Sequence, residues 1–468
     1  MKGRHLESKN IRSLSLGLLL LLAVRMIAMF VVPLTDPTEA RYAEIARKMA
    51  ETGNWITPQF DYGVPFWAKP PLHTWLSALG IDAFGANEFA ARLGILFATI
   101  ALLLILWRWL EQLTDRTTAL VTLLILCSGA LFFVAIAFVQ TDMVLTLGIV
   151  ACMTGFYSAM RGDRRWAWVF FAGIAIGMLA KGPVSVVLSM TPIALWVIWR
   201  REWSNLGKLP WVSGLAVAAI ISIPWYVAAE IATPGFLKYF IIGEHIQRFL
   251  DPGWTGDLYG SGREHAKGTI WLYWIVAALP WSPMLPILGW RLYKRGMPAD
   301  GDGLLSYLLL FAIVPLVFFT AAANILVTYT LPALPAAAAL GVILWRRSGT
   351  GGGTWLKIGM AEIMVLVAGL IVACLIGKDS FLPSRQDILA HFPQDHPLTI
   401  TGGRDFSAEF YRHGQITTIQ DIDQLPDTLS PGAGYLVRNN QVDAFEKRYG
   451  DHVTELAKDK SFRLFEAH

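Results

Sequence analysis

Charge is what this sequence has least of. Only 16% of its 468 residues are Asp, Glu, Lys or Arg, while 54% are hydrophobic, and that balance excludes an ordinary soluble globule, whose charged share is higher. Cysteine is almost absent: Cys127, Cys152 and Cys374 are all there is, each inside an apolar run, with neither a disulfide framework nor zinc-ligand spacing among them. No phosphate-cradling glycine loop and no dinucleotide-binding glycine motif occurs, so an ATP-driven pump has nowhere to hold its nucleotide. No internal repeat is found. The net charge of +4 is what basic loops beside a membrane leave behind, and makes no case for nucleic acid.

What the chain does have is apolar length. A bilayer core about 30 Å thick needs roughly 20 apolar residues per helix, and about eleven segments qualify by that measure: 13–34, 89–109, 117–139, 142–160, 166–182, 183–199, 211–232, 269–290, 303–322, 325–345 and 355–377. This predicts a mainly α, polytopic membrane protein. Lys2, Arg4, Lys9 and Arg12 precede the first segment. Alternate later turns carry Arg108 with Arg116, Arg161 with Arg164 and Arg165, Arg200 with Arg201 and Lys208, Arg291 with Lys294 and Arg295, and Arg346 with Arg347. The positive-inside rule puts these turns and the N-terminus in the cytoplasm, and the C-terminus outside. With Arg25 inside it and no small-residue cleavage site, the first span is expected to be retained rather than removed.

Three regions escape the membrane. In the first, 35–88, residues 38–51 and 70–84 predict two short helices lying along the interface. The second, 233–268, is rich in glycine and aromatics. The third, from about 378, predicts a small soluble α/β domain, with strands near 398–401, 434–438 and 462–465 and helices near 407–411 and 442–449. Two domains follow, 1–377 and 378–468. The stretch 349–353 reads as a flexible cytoplasmic turn.

The chemistry gathers on the outer side. Asp36, Glu39 and Arg41 follow the first span; Lys69 precedes Pro70 and Pro71; Asp142 opens the fourth span; Lys181 closes the fifth; Glu244, His245, Arg248, Asp251, Asp257, Arg263, Glu264 and His265 crowd the second loop. Each has a plain alternative. Asp36 or Thr38 caps a helix, Glu39 complements its dipole, Lys69 snorkels, Asp142 caps, and the loop charges are solvated. Pro332 and Pro335, after Thr328 and Tyr329, break the tenth span and shape a cavity. Together, cations around carboxylates at one bilayer edge suit a substrate whose lipid tail stays in the membrane while its phosphate sits above.

The run Glu39-Ala40-Arg41-Tyr42-Ala43-Glu44-Ile45-Ala46, then Gly53-Asn54-Trp55-Ile56-Thr57-Pro58, Lys69-Pro70-Pro71 and Phe84-Gly85-Ala86-Asn87-Glu88-Phe89-Ala90-Ala91-Arg92 resembles the bacterial aminoarabinose (lipid A) transferase branch of the GT-C glycosyltransferases. Relatives of the protein O-mannosyltransferases belong to the same branch. The match is dense over 35–92 and thinner but collinear at Asp142, Lys181-Gly182 and Thr328-Tyr329. The resemblance implies a multi-pass enzyme of the bacterial cytoplasmic membrane. Its expected reaction moves a sugar from a polyprenyl-phosphate donor to lipid A, another glycolipid, a polymer or a protein, on the outer face and with inversion.

It also implies roles. Lys69, helped by Lys181, Arg248 and His245, would stabilise charge on the leaving phosphate, and Arg41, Tyr42 and Tyr329 complete the substrate-binding set. The catalytic carboxylates are sought among Glu39, Asp142 and Asp36. The family motif reads Asp-Glu-x-Arg-Tyr, and Thr38 stands where the Asp would be, so Glu39 or the displaced Asp36 supplies the group; the spacing to Arg41-Tyr42 favours Glu39. No cofactor is required, while a divalent cation, Mg²⁺ or Mn²⁺, held by Glu39, Asp142 or His245, stays open. A lipid-linked sugar flippase, with charges along the bundle interior, and a non-catalytic assembly protein are the other readings.

Overall fold

The computed structural model describes residues 2–251, 254–260, 265–347, 365, 369 and 382–468. In chain order come α1 (Lys2–Val31), α2 (Thr38–Thr52), a two-stranded ribbon β1 (Gln59–Asp61) and β2 (Val64–Pro65), α3 (Leu72–Phe84), α4 (Glu88–Leu113), α5 (Arg116–Ser128) and α6 (Ala130–Ala135). Then follow α7 (Thr141–Met160), α8 (Arg164–Lys181), α9 (Pro183–Arg200) and α10 (Trp211–Ala232). Past α10 a short α11 (Phe236–Lys238) runs into a π-helix, Tyr239–Gln247, and α12 (Arg248–Leu250). The membrane part continues with α13 (Thr269–Ala277), α14 (Met284–Arg295), α15 (Leu304–Thr320), a 3₁₀ stretch Val327–Ala333 and α16 (Leu334–Arg347).

Among the described residues, six helical stretches are long and apolar enough to cross a bilayer: Ile11–Val31, Glu88–Leu113, Thr141–Met160, Pro183–Arg200, Trp211–Ala232 and Val327–Arg347. The protein is a multi-pass membrane protein. Of the expected spans, the tenth opens as the 3₁₀ stretch before α16, and two others break within their length. The third breaks at Ser128-Gly129, between α5 and α6, and the eighth breaks between α13 and α14. The breaks face each other: Ala130 N donates to Leu279 O at 2.7 Å, and Trp281 Nε1 donates to Ser128 Oγ at 2.9 Å. Non-helical backbone at such depth must find protein partners, and here each break supplies them to the other. The expected eleventh span, the 349–353 turn, Cys374 and the boundary at 377/378 lie outside the described residues, Val365 and Gly369 excepted.

The centre of the bundle is α7, buried along its whole length. Its partner α8 lies against it at a distance only glycine allows. A Cβ on Gly148 would come within 2.8 Å of Gly177 N, and one on Gly155 within 2.4 Å of Phe170 N, the close approach that small residues permit between membrane helices. Because α7 and α8 form an antiparallel hairpin, the first turn of one meets the last turn of the other.

The C-terminal domain is a five-stranded mixed sheet. Its strands are β3 (Leu398–Ile400), β4 (Thr417–Thr418), β5 (Gly434–Arg438), β6 (Val453–Lys458) and β7 (Phe462–Ala467), in the order β4-β3-β5-β7-β6. β3 runs parallel to β4 and β5, and β7 antiparallel to β5 and β6. The three expected strands and two helices are all present; β4 and β6 are additions. Alternation along β5 feeds two cores, Leu436 joining Ile400 and Leu464 on one side, Tyr435 and Val437 joining Phe445 and Phe465 on the other. The helices, after a single turn α17 (Gln386–Leu389), are α18 (Phe406–Tyr411) and α19 (Val442–Tyr449).

α18 packs on α2. α2 therefore does not lie open along an interface as its sequence suggests. Glu44, Arg47 and Lys48, its polar face, are buried, with Arg47 and Lys48 on Glu44 at 2.7 and 3.2 Å and Lys48 reaching Glu409 of α18 at 3.4 Å. Tyr411 strengthens the seam by donating to Glu88 at 2.9 Å and accepting from Leu34 N at 2.8 Å.

Candidate active site

The α7–α8 hairpin brings Asp142, in the first turn of α7, against Lys181, the last residue of α8, as a buried ion pair. Asp142 is not the cap of its helix; that position is Gln140. The Lys181 ammonium also stands 4.0 Å from the centre of the Tyr329 ring, so one face of it is held by a carboxylate and another by an aromatic quadrupole. Only Oδ1 of Asp142 is taken by Lys181. No described residue donates to its Oδ2.

The π-helix Tyr239–Gln247 supplies the second half. Winding that places residues five apart in register joins Tyr239 to Glu244, hydroxyl to Oε1 at 3.3 Å, and Phe240 O to His245 Nδ1 at 2.7 Å; such wide turns recur at functional sites. Glu244 bridges Lys69 at 2.8 Å and Arg248 at 3.0 Å, and Arg248 reaches on to Asp257 at 3.3 Å. Burial on its own would raise the Glu244 pKa, but Lys69 and Arg248 together pull it down to about 2. His245 Nε2 lies 3.1 Å from the carbonyl of Lys181, which ties this network to the Asp142–Lys181 pair.

Tyr42 and Arg41 flank the same region. The Tyr42 ring meets His73 edge to face at 4.8 Å between ring centres, and Arg41 lies 5.2 Å over Tyr42 while donating to Tyr259 O at 3.2 Å. His73 is fully buried; desolvation, with Lys69 adding to it, pushes its pKa down to about 3, so it stays neutral.

The two first-loop carboxylates are elsewhere engaged. Glu39 is 1% exposed and held by Arg92 through both oxygens at 2.8 Å each. Arg92 also donates to the carbonyls of Met29, Val32 and Pro33 at 3.2, 2.6 and 3.1 Å. Glu39, favoured from the sequence as the reacting carboxylate, has both oxygens engaged in a clamp that fixes the end of α1. Asp36 caps α18 rather than its own helix, accepting from Phe406 N at 3.1 Å and Ser407 N at 3.0 Å. Burial and the adjacent Asp405 carboxylate raise its pKa to about 8.

The residues considered for a divalent cation, Glu39, Asp142 and His245, do not converge on one point. Among the described residues no three His, Cys, Asp or Glu side chains gather around one point. Both ring nitrogens of His245 face carbonyl oxygens, and Glu39 belongs to Arg92. His265 contacts Tyr273 at 3.2 Å, not His245. Sequence reasoning missed Arg92, His73 and Tyr259; for Arg92 the signal was present, since an arginine one turn inside an apolar span needs a buried partner.

A helical bundle crowned by loop helices, with buried cations gathered at the loop-bearing end, defines a GT-C membrane protein. Residues 15–240 match the model of the dolichyl-phosphate-mannose-protein mannosyltransferase family. An undecaprenyl phosphate-α-4-amino-4-deoxy-L-arabinose arabinosyl transferase of Erwinia tasmaniensis is 33% identical over 355 residues, 73% of this chain and 60% of the relative. One of Yersinia pestis is 30% identical over 80% of this chain and 67% of its own length. The chain belongs to this arabinosyl transferase family. It spans 60% and 64% of the Erwinia and Edwardsiella relatives it matches. In fold it superposes on ArnT from Cupriavidus metallidurans, solved bound to undecaprenyl phosphate, with a TM-score of 0.77 at 20% identity, covering 96% of this chain and 97% of that one. The archaeal oligosaccharyltransferase AglB from Archaeoglobus fulgidus follows at 0.51 and 12% identity, over 88% of this chain and 64% of that one.

Proposed function

We propose that this chain is a glycosyltransferase that moves a sugar from a polyprenyl-phosphate donor to an envelope acceptor, lipid A or another glycolipid, polymer or protein. It works at the outer face of the bacterial cytoplasmic membrane. The observation that carries the reading is a pair of ion-pair groups, Lys69–Glu244–Arg248 and Lys181–Asp142, brought together at the loop-bearing end of an apolar bundle where His245, next to Glu244 in the chain, meets the Lys181 carbonyl. The arabinosyl transferase relatives and the undecaprenyl phosphate in the ArnT structure support that donor class. The basic turn at Arg161, Arg164 and Arg165, at the opposite end of the α7–α8 hairpin, supports a cytoplasmic N-terminus, and residues 1–377 and 378–468 are read as the catalytic and the extracytoplasmic domain.

In the proposed step the bond between the sugar's anomeric carbon and the phosphate oxygen breaks, and its electron pair stays on that oxygen. Lys69, Arg248 and Lys181 stabilise the charge that develops there. An acceptor oxygen forms the new bond from the opposite side, inverting the carbon, and a hydroxyl acceptor gives its proton to Asp142 Oδ2, whose other oxygen Lys181 fixes. An acceptor phosphate arrives ionised and asks only for positioning. Arg41, Tyr42 and Tyr329 frame the sugar. Glu39 takes the structural part described above, and Asp36 ties the C-terminal domain to the loop.

The test is transfer of label from a panel of radiolabelled polyprenyl-phosphate sugars into envelope extract by the purified protein, beside Asp142→Asn. Transfer by the unmodified protein alone supports the reading; donor movement across vesicles without transfer would put a flippase in its place.

A further inference from the structure

We infer that Glu244 and the donor phosphate compete for Lys69 and Arg248, and that the lipid phosphate binds by displacing Glu244 from them. The inference rests on the reading of Lys69 and Arg248 as phosphate ligands. A carboxylate and a phosphate oxygen pair are near substitutes as acceptors for ammonium and guanidinium groups. Glu244 meets Lys69 through Oε2 at 2.8 Å and Arg248 through Oε1 at 3.0 Å and Oε2 at 3.2 Å, a bridging grip of the kind a phosphate makes.

The surroundings equip both cations to survive its departure. Arg248 keeps Asp257 at 3.3 Å, and Lys69 keeps the carbonyl of Ala68 at 2.7 Å. Glu244 has its own alternative partner in Tyr239, whose hydroxyl is 3.3 Å from Oε1. Its site on a π-helix, with Ile241, Ile242 and Ile246 exposed on neighbouring turns, gives a local backbone that can repack without unwinding an α-helix. Charge bookkeeping follows. The sugar-bearing lipid is a phosphodiester with one negative charge and replaces Glu244 one for one. The product is a monoester with close to two charges at neutral pH. Glu244 returning to Lys69 and Arg248 then competes with the product and speeds its release. Glu244 is thus a positioning residue that holds the cation pair ready and clears it.

The experiment measures binding of undecaprenyl phosphate, with undecaprenol as the phosphate-free control, to the full chain in detergent for the unmodified protein, Glu244→Gln, Glu244→Asp and Lys69→Ala. Glu244→Gln should bind undecaprenyl phosphate about tenfold tighter, with product inhibition stronger and kcat lower, and Glu244→Asp should restore the unmodified affinity. Equal or weaker binding by Glu244→Gln, with Lys69→Ala still losing affinity, would overturn the inference and leave the function standing. Binding that ignores both Lys69 and the phosphate would overturn the function itself. Should Glu244→Gln fail to fold, carbodiimide labelling of Glu244 in the unmodified protein decides: labelling that rises on adding undecaprenyl phosphate supports displacement, and labelling that stays constant or falls refutes it.

Discussion

Two of the buried carboxylate–cation pairs at the loop-bearing end of this bundle are built differently. Glu39 and Arg92 form a closed unit: both carboxylate oxygens are bonded to the guanidinium, whose remaining donors go to three backbone carbonyls. Asp142 and Lys181 form an open one, with one carboxylate oxygen left over and the ammonium turned partly to an aromatic ring. A pair with every valence spent is suited to holding structure together, whereas a pair with valence to spare is suited to meeting a substrate. That contrast, rather than sequence spacing to Arg41, moves the proposed chemistry from the first loop to the head of α7.

The largest effect should come from Asp142→Asn, which keeps the shape of the open pair and removes its charge. Transfer per folded molecule is expected to fall by roughly 10²–10⁴-fold, the span for loss of a positioned proton acceptor, and the unfolding midpoint should fall as well, because Lys181 is left buried without its counter-charge. Full transfer activity in this variant would erase the distinction. Glu39→Gln is the mirror case. It leaves Arg92 buried without its counter-charge and should cost about 3–5 kcal/mol of stability, read as a lowered unfolding midpoint, while the folded fraction keeps its turnover. Turnover lost from protein of unchanged stability would return Glu39 to the catalytic set.

Smaller again is Tyr329→Leu, which strips the ring from Lys181. A loss of about 1–2 kcal/mol in donor binding is expected, and Tyr329→Phe should recover most of it. The smallest effect concerns the seam between the domains. Because the folded pKa of Asp36 lies above its ordinary value of 3.8, at about 8, protonated Asp36 favours the packed state. Its contribution is complete below the ordinary value and drains away as pH rises through 8. Amide protection factors at 406–411, which divide out the base-catalysed intrinsic rate, should therefore fall from pH 6 to pH 9, and Asp36→Asn should flatten that dependence.

Hydropathy made most of the bundle legible. It named the spans at α4, α7, α9 and α10 within a few residues, because burial in lipid leaves an unbroken apolar record. It could not see the breaks at Ser128-Gly129 and between α13 and α14, since both stretches are as apolar as intact spans and the bonds between the two breaks join residues up to 153 positions apart. Charges at span ends pointed to Asp142 and Lys181 separately, and their pairing needed the hairpin. The clamp on Glu39 was not legible from spacing, because its partner Arg92 lies 53 residues away in an otherwise apolar stretch of α4. The docking of α18 onto α2 left no periodic mark at all, and α2 kept the look of a surface helix because its polar face is met by polar partners.

The burial of α7 has one more consequence. Its spanning window is wholly enclosed by protein, against 28% for α1 and 33% for α10, so bilayer thickening or thinning presses on the peripheral helices first. The glycine seam with α8 leaves no slack for tilt to be passed inward. The head of α7, where Asp142 stands, is thus shielded by protein from direct contact with lipid.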